Sequence, residues 1–225
     1  MYADRKKNAE LGQRVHNHLV EVGLETPLTA GVNLDSEEKI LKIKGHFQEI
    51  METLGLDMTD DSLMDTPNRV AQMYVNEIFW GLDYDSFPKC TTIENKMNYK
   101  GTFVLERNIN VQSNCEHHFV VIDGVANVAY IPRDKVLGLS KLNRIVEFFA
   151  KRPQVQERLT EQIKEAIAFI TETPDVAVQM EAVHYCVKSR GVQDTGSSTV
   201  TLSAGGEFAE YGQIRNEFLA CCKSM

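Results

Sequence analysis

No stretch of this 225-residue sequence is apolar for anything near the ~20 residues that a helix needs to cross a bilayer, so no membrane-spanning segment is expected. Basic charge is in deficit, with 24 Lys and Arg against 32 Asp and Glu. The formal charge of -8 argues against a nucleic-acid binder that works by bulk electrostatics. A polyanionic ligand would need a local basic pocket to overcome that field. Nor is there an apolar segment behind the charged start Met1-Tyr2-Ala3-Asp4-Arg5-Lys6-Lys7, so no secretory signal is expected and a cytoplasmic location is the reading. Cys-x-x-Cys pairs are missing too. The five cysteines (Cys90, Cys115, Cys186, Cys221, Cys222) are odd in number and unevenly placed, which suggests free thiols and metal ligands rather than a disulfide framework. What remains is 43% hydrophobic and 25% charged, the balance of a soluble globular chain of one or two compact units.

Hydrophobic spacing predicts a helix from about 4 to 22, through Leu11, Val15, Leu19 and Val20, stopping at Gly23. Asp35 or Ser36 caps a second helix carrying Ile40, Ile43, Phe47, Ile50 and Met51 on one stripe. Asp65-Thr66-Pro67 heads a third, running through Val70, Met73, Tyr74 and Ile78 to Gly81. The texture changes near residue 100. Strand segments are predicted at Gly101–Leu105 and Ile109–Ser113, with a hairpin over Phe119–Ile131 turning at Asp123-Gly124. Two helices follow, from Ser140 to Phe149 and from Val155 to Thr171, broken at Arg152-Pro153. Val176–Val187 and Thr199–Leu202 read as strands, and Ile214–Cys222 as a terminal helix. The expected fold class is α+β, with residues 1–98 as a helical region and 99–225 as a β-β-α-α-β-β domain.

Cys115-Glu116-His117-His118 is the densest run of metal-ligating side chains, and a single turn can aim Cys115 and His118 at one ion. On the later strand, alternation places His184 and Cys186 on one face. Two thiolates and one imidazole suit zinc, with a fourth position left for water. A structural site with His117 or His184 as fourth ligand is the competing arrangement, as in a non-catalytic zinc scaffold. His117 and His184 read better as acid–base groups than as surplus ligands. A second cluster is Gly138-Leu139-Ser140-Lys141-Leu142-Asn143-Arg144. Ser140 as N-cap would leave backbone N–H groups free beside two cations, an anion site; a plain cap with two solvated cations is the alternative. Glu157, in the first turn of the next helix, suits the helix dipole for structural reasons alone, but its carboxylate also matches the paired donors of guanine N1–H and N2–H₂. Arg190, in a basic turn, can bring a guanidinium to a phosphate.

Taken together, Cys-Glu-His-His at 115–118, Gly-Leu-Ser-Lys-Leu-Asn-Arg at 138–144, Arg-Pro-Gln-Val-Gln-Glu-Arg at 152–158, and His-Tyr-Cys with Arg-Gly at 184–191 resemble the GTP cyclohydrolase I family. Asp60–Leu63 and Thr66-Pro67-Asn68-Arg69 are similar to the family's helical N-terminal part. The likeness covers roughly residues 20 to 220 in order. It implies the tunnelling fold and a homo-oligomer, in bacterial-type members a decamer of two stacked pentamers with active sites at subunit boundaries. It implies Zn²⁺ on Cys115, His118 and Cys186, proton transfer by His117 and His184, and reading of the guanine edge by Glu157 and Gln156. Ser140 would approach the ribose or purine end, Leu139 would join the substrate-binding set, and Lys141, Arg144 and Arg190 would meet the triphosphate of GTP, with Arg69 in support. Where some family members carry a lysine one turn after that arginine, this chain has Gln72, which weakens the case for Arg69. A relative acting on another purine or a pteridine is the nearest alternative substrate reading.

Overall fold

The computed structural model describes residues 6–29, 31 and 34–223. Helix α1 (Ala9–Glu21) begins where the Asn8 side chain accepts from the Leu11 N–H at 3.0 Å. The expected start near residue 4 falls partly outside the described residues, and Lys7 is already extended, bridged to Pro88. Helix α2 (Ser36–Thr53) opens with a full capping box between Asp35 and Glu38. Helix α3 (Thr66–Met73) has Pro67 in its first turn, but Asp65 makes no capping bond. Its carboxylate takes the Arg69 guanidinium at 3.1 Å instead. The expected single helix to Gly81 is also divided: Tyr74–Ile78 widens into a π turn and Trp80–Leu82 tightens into a 3₁₀ turn.

The second half follows the expected order. Strand β1 (Thr92–Glu94) precedes β2 (Val104–Cys115), β3 (Val121–Tyr130) and β4 (Lys135–Leu137). Helix α4 (Leu139–Ala150), the short β5 (Pro153–Gln154) and helix α5 (Gln156–Thr171) follow. Then come β6 (Val176–His184), a helical turn α6 (Tyr185–Lys188), β7 (Thr199–Ala204) and α7 (Gln213–Lys223). The main sheet has the order β5-β2-β3-β6-β7, antiparallel except where β5 pairs with Asn114 and Cys115 of β2. Strands β1 and β4 form a separate pair.

Two departures bear on the site. The Asp123-Gly124 step is not a turn: Gly124 lies mid-strand, paired with Val111 on one side and Ala182 on the other. Glycine is needed there because a Cβ would stand 2.1 Å from the Glu181 carbonyl oxygen, so it marks a close strand approach. The real hairpin turn is residues 116–120, closed by Cys115 N–H to Val120 O and Phe119 N–H to Cys115 O, both 2.8 Å. The candidate ligand motif is thus itself the hairpin loop. The two strand segments expected before it are one strand with a bulge between Glu106 and Ile109. Asn108 takes the left-handed conformation there (φ 54°) and donates its N–H to the Asn127 side chain. That extra residue inverts the alternation, so Ile109, Val111, Ser113 and Cys115 share the face covered by the helices.

On that face, Ile145, Phe148 and Phe149 of α4 and Leu159, Ile163 and Ile167 of α5 pack on Val111, Val128, Val178 and Met180. Phe148 meets Trp80, Tyr84 and Phe87 edge-on, which binds the N-terminal segment to this core. Arg152 is fully buried beside it. It donates to Glu25, Thr26, Tyr84 and the Gly81 carbonyl, and its guanidinium lies over three aromatic rings. Ser113 Oγ in turn donates to the Arg152 carbonyl oxygen at 3.4 Å. Among the described residues, the opposite sheet face is covered at one end only, by Phe208 and Phe218 on Ala129, Ile131 and Ala177. Beyond β7 no further strand pairs among the described residues, and Val200 is 57% exposed.

Candidate active site

Cys115 ends β2 and His118 sits in the loop that follows. Cys186 comes from α6, and the ligand atoms of the three lie within 4.8 Å of one another. The route of Cys186 differs from the expected one. The strand ends at His184, and the next residues coil into a helical turn, so the same-face argument for residues 184 and 186 does not hold. A helical turn rotates side chains by about 100° per residue rather than 180°. Cys186 swings to Cys115, whereas His184 points to Gln156. Burial and the neighbouring Cys115 thiol push the Cys186 thiol above its usual value, with Arg190 opposing. Two crowded thiols beside an imidazole form a donor set that a soft-to-borderline dication would relieve, so the residues fit a metal ion.

The loop is held from below. Glu116 accepts from Arg158 of α5, and its backbone N–H donates to the Gln154 carbonyl at 3.0 Å. Arg158 Nε also donates to Gln154 Oε1. Phe119, with φ 54°, stacks edge-on against Phe79 at 5.1 Å, tying the loop to the helical region. His117 is 64% exposed, with Nδ1 3.8 Å from Cys115 Sγ and Nε2 3.7 Å from Glu116. Arg190 donates to His118 Nε2 at 2.8 Å. Glu157 is exposed in the first turn of α5, where the helix dipole favours it. Burial holds the His184 imidazole below its usual value, and the Glu157 carboxylate opposes that shift, so the two face each other electrostatically.

Gln156 differs from the rest of the expected ligand-facing set. Its side chain is buried, with Nε2 directed at Thr199 O (3.0 Å), Thr201 Oγ1 (3.1 Å) and Met180 O (3.3 Å). The structure therefore gathers Cys115, His117, His118, Glu157, His184, Cys186 and Arg190 around one end of the sheet.

Leu139, Ser140, Lys141 and Arg144 lie elsewhere. The α4 cap is Gly138, and Ser140 sits inside the first turn without a capping bond, which corrects the expected N-cap. Leu139 and Ser140 are exposed, and Lys141 and Arg144 stand beside Cys90, opposing the burial that pushes its thiol up to about 12. Twelve residues of α4 span about 18 Å, and the chain then leads into β5 beside Cys115. Along the other route, Leu137 is held by Tyr130 at the far end of β3, a strand of about 30 Å. Both rulers separate the two clusters by about 20–30 Å within one chain. Arg69 is in neither cluster, being paired with Asp65 on α3.

Glu116, Arg158 and Arg152 were not singled out from sequence. A carboxylate beside ligand residues carries no direction of its own, and only the register of α5 against the loop shows what Glu116 grips.

The description GTP cyclohydrolase I belongs to the family model that matches residues 43–223. GTP cyclohydrolase 1 of Aeromonas hydrophila subsp. hydrophila is 60% identical over 201 residues, covering 89% of this chain and 91% of that protein. The enzyme of that name from Enterobacter sp. (strain 638) is 60% identical over 206 residues, 91% of this chain and 92% of its own. That of Shewanella denitrificans is 57% identical over 210 residues, 93% of this chain and 96% of its own. With the matched range spanning the ligand loop, both central helices and the last strand pair, and with relatives 60% identical over about nine-tenths of its length, the chain belongs to the GTP cyclohydrolase I family.

Proposed function

We propose that this chain is a zinc-dependent GTP cyclohydrolase I. It would hydrolyse GTP to formate and 7,8-dihydroneopterin triphosphate, the first step of tetrahydrofolate and pterin biosynthesis. The observation that carries the reading is the three-ligand cluster Cys115, His118 and Cys186 with His184 and Glu157 beside it, in a chain of this family. A zinc ion held by those ligands would supply Lewis acidity and the means to activate water at neutral pH. The side chains around it handle protons and charge. Glu157 accepts from N1–H and N2–H₂ of guanine, which fixes the ring in plane. His184 protonates N7 or assists attack at C8, and His117 serves proton transfer as the imidazole ring opens. Arg190, Lys141 and Arg144 neutralise the triphosphate, while Leu139 and Ser140 meet the ribose or purine end. Arg69 lends weaker support, since it is paired with Asp65, and Gln72 one turn on is engaged by Asn76.

Lys141 and Arg144 lie too far from the ligand loop of their own chain to share one GTP molecule with it. The anion cluster therefore comes from a neighbouring copy, and the active site forms at a subunit boundary. The free edge of β7 and the exposed apolar residues Leu41, Ile50 and Leu54 of the α2 region support such an assembly, in the form of two stacked pentamers. Cysteines kept as thiols rather than disulfides suit a cytoplasmic location, and no helix among the described residues is long and apolar enough to cross a membrane. The test is direct: zinc-loaded protein incubated with GTP should release formate and yield fluorescent neopterin after oxidation and dephosphorylation. Absence of both products would overturn the proposal.

A further inference from the structure

We infer that Gln156 is a positioning residue that fixes His184 in its Nε2–H tautomer, leaving Nδ1 as the ring nitrogen that meets the substrate. The inference rests on the reading of His184 as a proton-transfer group, but its geometry stands on Gln156 alone.

An imidazole cannot report which nitrogen carries the proton, and an amide cannot report which end is oxygen, unless a partner of fixed sense is present. Here two such partners exist. The nitrogen end of the Gln156 amide faces the carbonyl oxygens of Thr199 and Met180, at 3.0 and 3.3 Å, and a backbone carbonyl only accepts. Turning the amide over would set oxygen against two oxygens in a fully buried position.

The third neighbour agrees. Thr160 donates its hydroxyl to the Gln156 carbonyl at 2.7 Å, so in the Thr160–Thr201 hydroxyl pair, also 2.7 Å, Thr201 is the donor. The Thr201 oxygen then has lone pairs left for the amide N–H of Gln156, 3.1 Å away. The two amide hydrogens of Gln156 are shared among three acceptors, Thr199 O, Thr201 Oγ1 and Met180 O, and every bond in the network runs in a consistent sense.

Gln156 Oε1 is thereby the atom that faces His184 Nε2, at 2.7 Å, and being an acceptor it requires a proton on that nitrogen. Nδ1 of His184 has no protein partner among the described residues. In the neutral ring its lone pair is the one left available. The same partnering shows why Gln156 opens α5 directly next to Glu157: one residue turns inward to orient the base, and the next stays outside to hold the ligand. The side chain of Gln156 accordingly does not read the guanine edge.

The experiment reads the tautomer itself. The zinc-loaded protein is labelled with ¹⁵N-histidine, and His184 is assigned by the disappearance of its signals in His184→Gln. The spectrum is recorded at a pH where the imidazoles are neutral. A pyrrole-type Nε2 and a pyridine-type Nδ1 are expected; the reverse pattern, or a mixture in the wild type, would overturn the inference whether or not GTP is turned over. Loss of GTP turnover with the expected tautomer intact would instead count against the proposed function. Gln156→Met, of similar length, should let His184 populate both tautomers and lower kcat by about 10- to 100-fold, with KM for GTP changed less than about threefold. A raised KM with unchanged kcat would mean that Gln156 binds substrate directly, and would also overturn it. If Gln156→Met does not fold, the wild-type spectrum decides alone.

Discussion

The two ends of the main sheet carry clusters of opposite character. At the ligand-loop end the side chains proposed to do the chemistry are held by neighbours, His184 by Gln156 and His118 by Arg190, and the loop itself is anchored through Glu116 to Arg158. At the α4 end, Leu139 and Ser140 are exposed, and neither Lys141 nor Arg144 forms an ion pair among the described residues. Bond-making needs reacting groups held to within fractions of an ångström, and the gripped end provides that. A flexible polyphosphate needs only charge within reach, and long cationic side chains provide it with little preparation. On the proposed function, one chain would hold a preorganised half of a site and an open half.

The sharpest way to break this comparison is at the gripped end. Cys115→Ser or Cys186→Ser should reduce bound zinc from about one per chain to near none, and GTP turnover by more than about a hundredfold. Metal analysis and a formate assay on the same preparation check it. Next comes complementation, assayed at GTP well below the raised KM: Cys115→Ser, which lacks the metal, and the double variant Lys141→Ala/Arg144→Ala, which is silent at that GTP concentration, are co-expressed. If the halves come from different copies, random mixing regenerates about a quarter of the sites and activity returns to that order. No recovery would return both halves to a single chain. At the open end alone, Lys141→Ala or Arg144→Ala should raise KM for GTP by about 10- to 100-fold while kcat changes only a few-fold.

The smallest effect concerns Asp175, a rigid element at the otherwise open end. Burial would raise its pKa, but hydrogen bonds from the Glu207 N–H, Arg133 and Thr173 outweigh it and hold the carboxyl below 3.8. A depressed folded-state value means stability present above pH 3.8 and lost as pH falls through the lower folded value. Asp175→Asn should therefore flatten the acid limb of a denaturation profile below about pH 4, without moving the neutral-pH KM.

Much of this was readable from residues alone, and the failures share a cause. Cys115, His118 and Cys186 could be matched because thiols and imidazoles are rare enough that type and order carry information, and the β-β-α-α-β-β order followed from periodicity. The reading went wrong where one residue type serves two physical needs. Gly124 looked like turn chemistry, but it answers a close strand approach; Ser140 looked like a cap, but Gly138 starts the helix. Asp65 had a capping position and spends its carboxylate on Arg69. Cys186 reached the cluster by coiling after the strand had ended, and period-two alternation cannot register that switch. The Glu116–Arg158 and Arg152–Glu25 pairs are contacts across 42 and 127 positions, which no local pattern encodes.

The Arg152–Glu25 contact also sets where this chain can be shortened. Glu25 lies just after α1, in a segment that an engineer would readily discard along with a short leading helix. Its carboxylate is the counter-charge of a guanidinium that is wholly out of solvent. Trimming to residue 31 would strand that cation, at a cost of about 3–5 kcal/mol, a large fraction of the 5–15 kcal/mol that holds a typical domain together. Because the backbone of Arg152 passes directly into β5 beside Cys115, the damage from an N-terminal deletion would surface as a loosened metal loop. An affinity tag is better carried at the other terminus, and a shortened version should begin no later than α1.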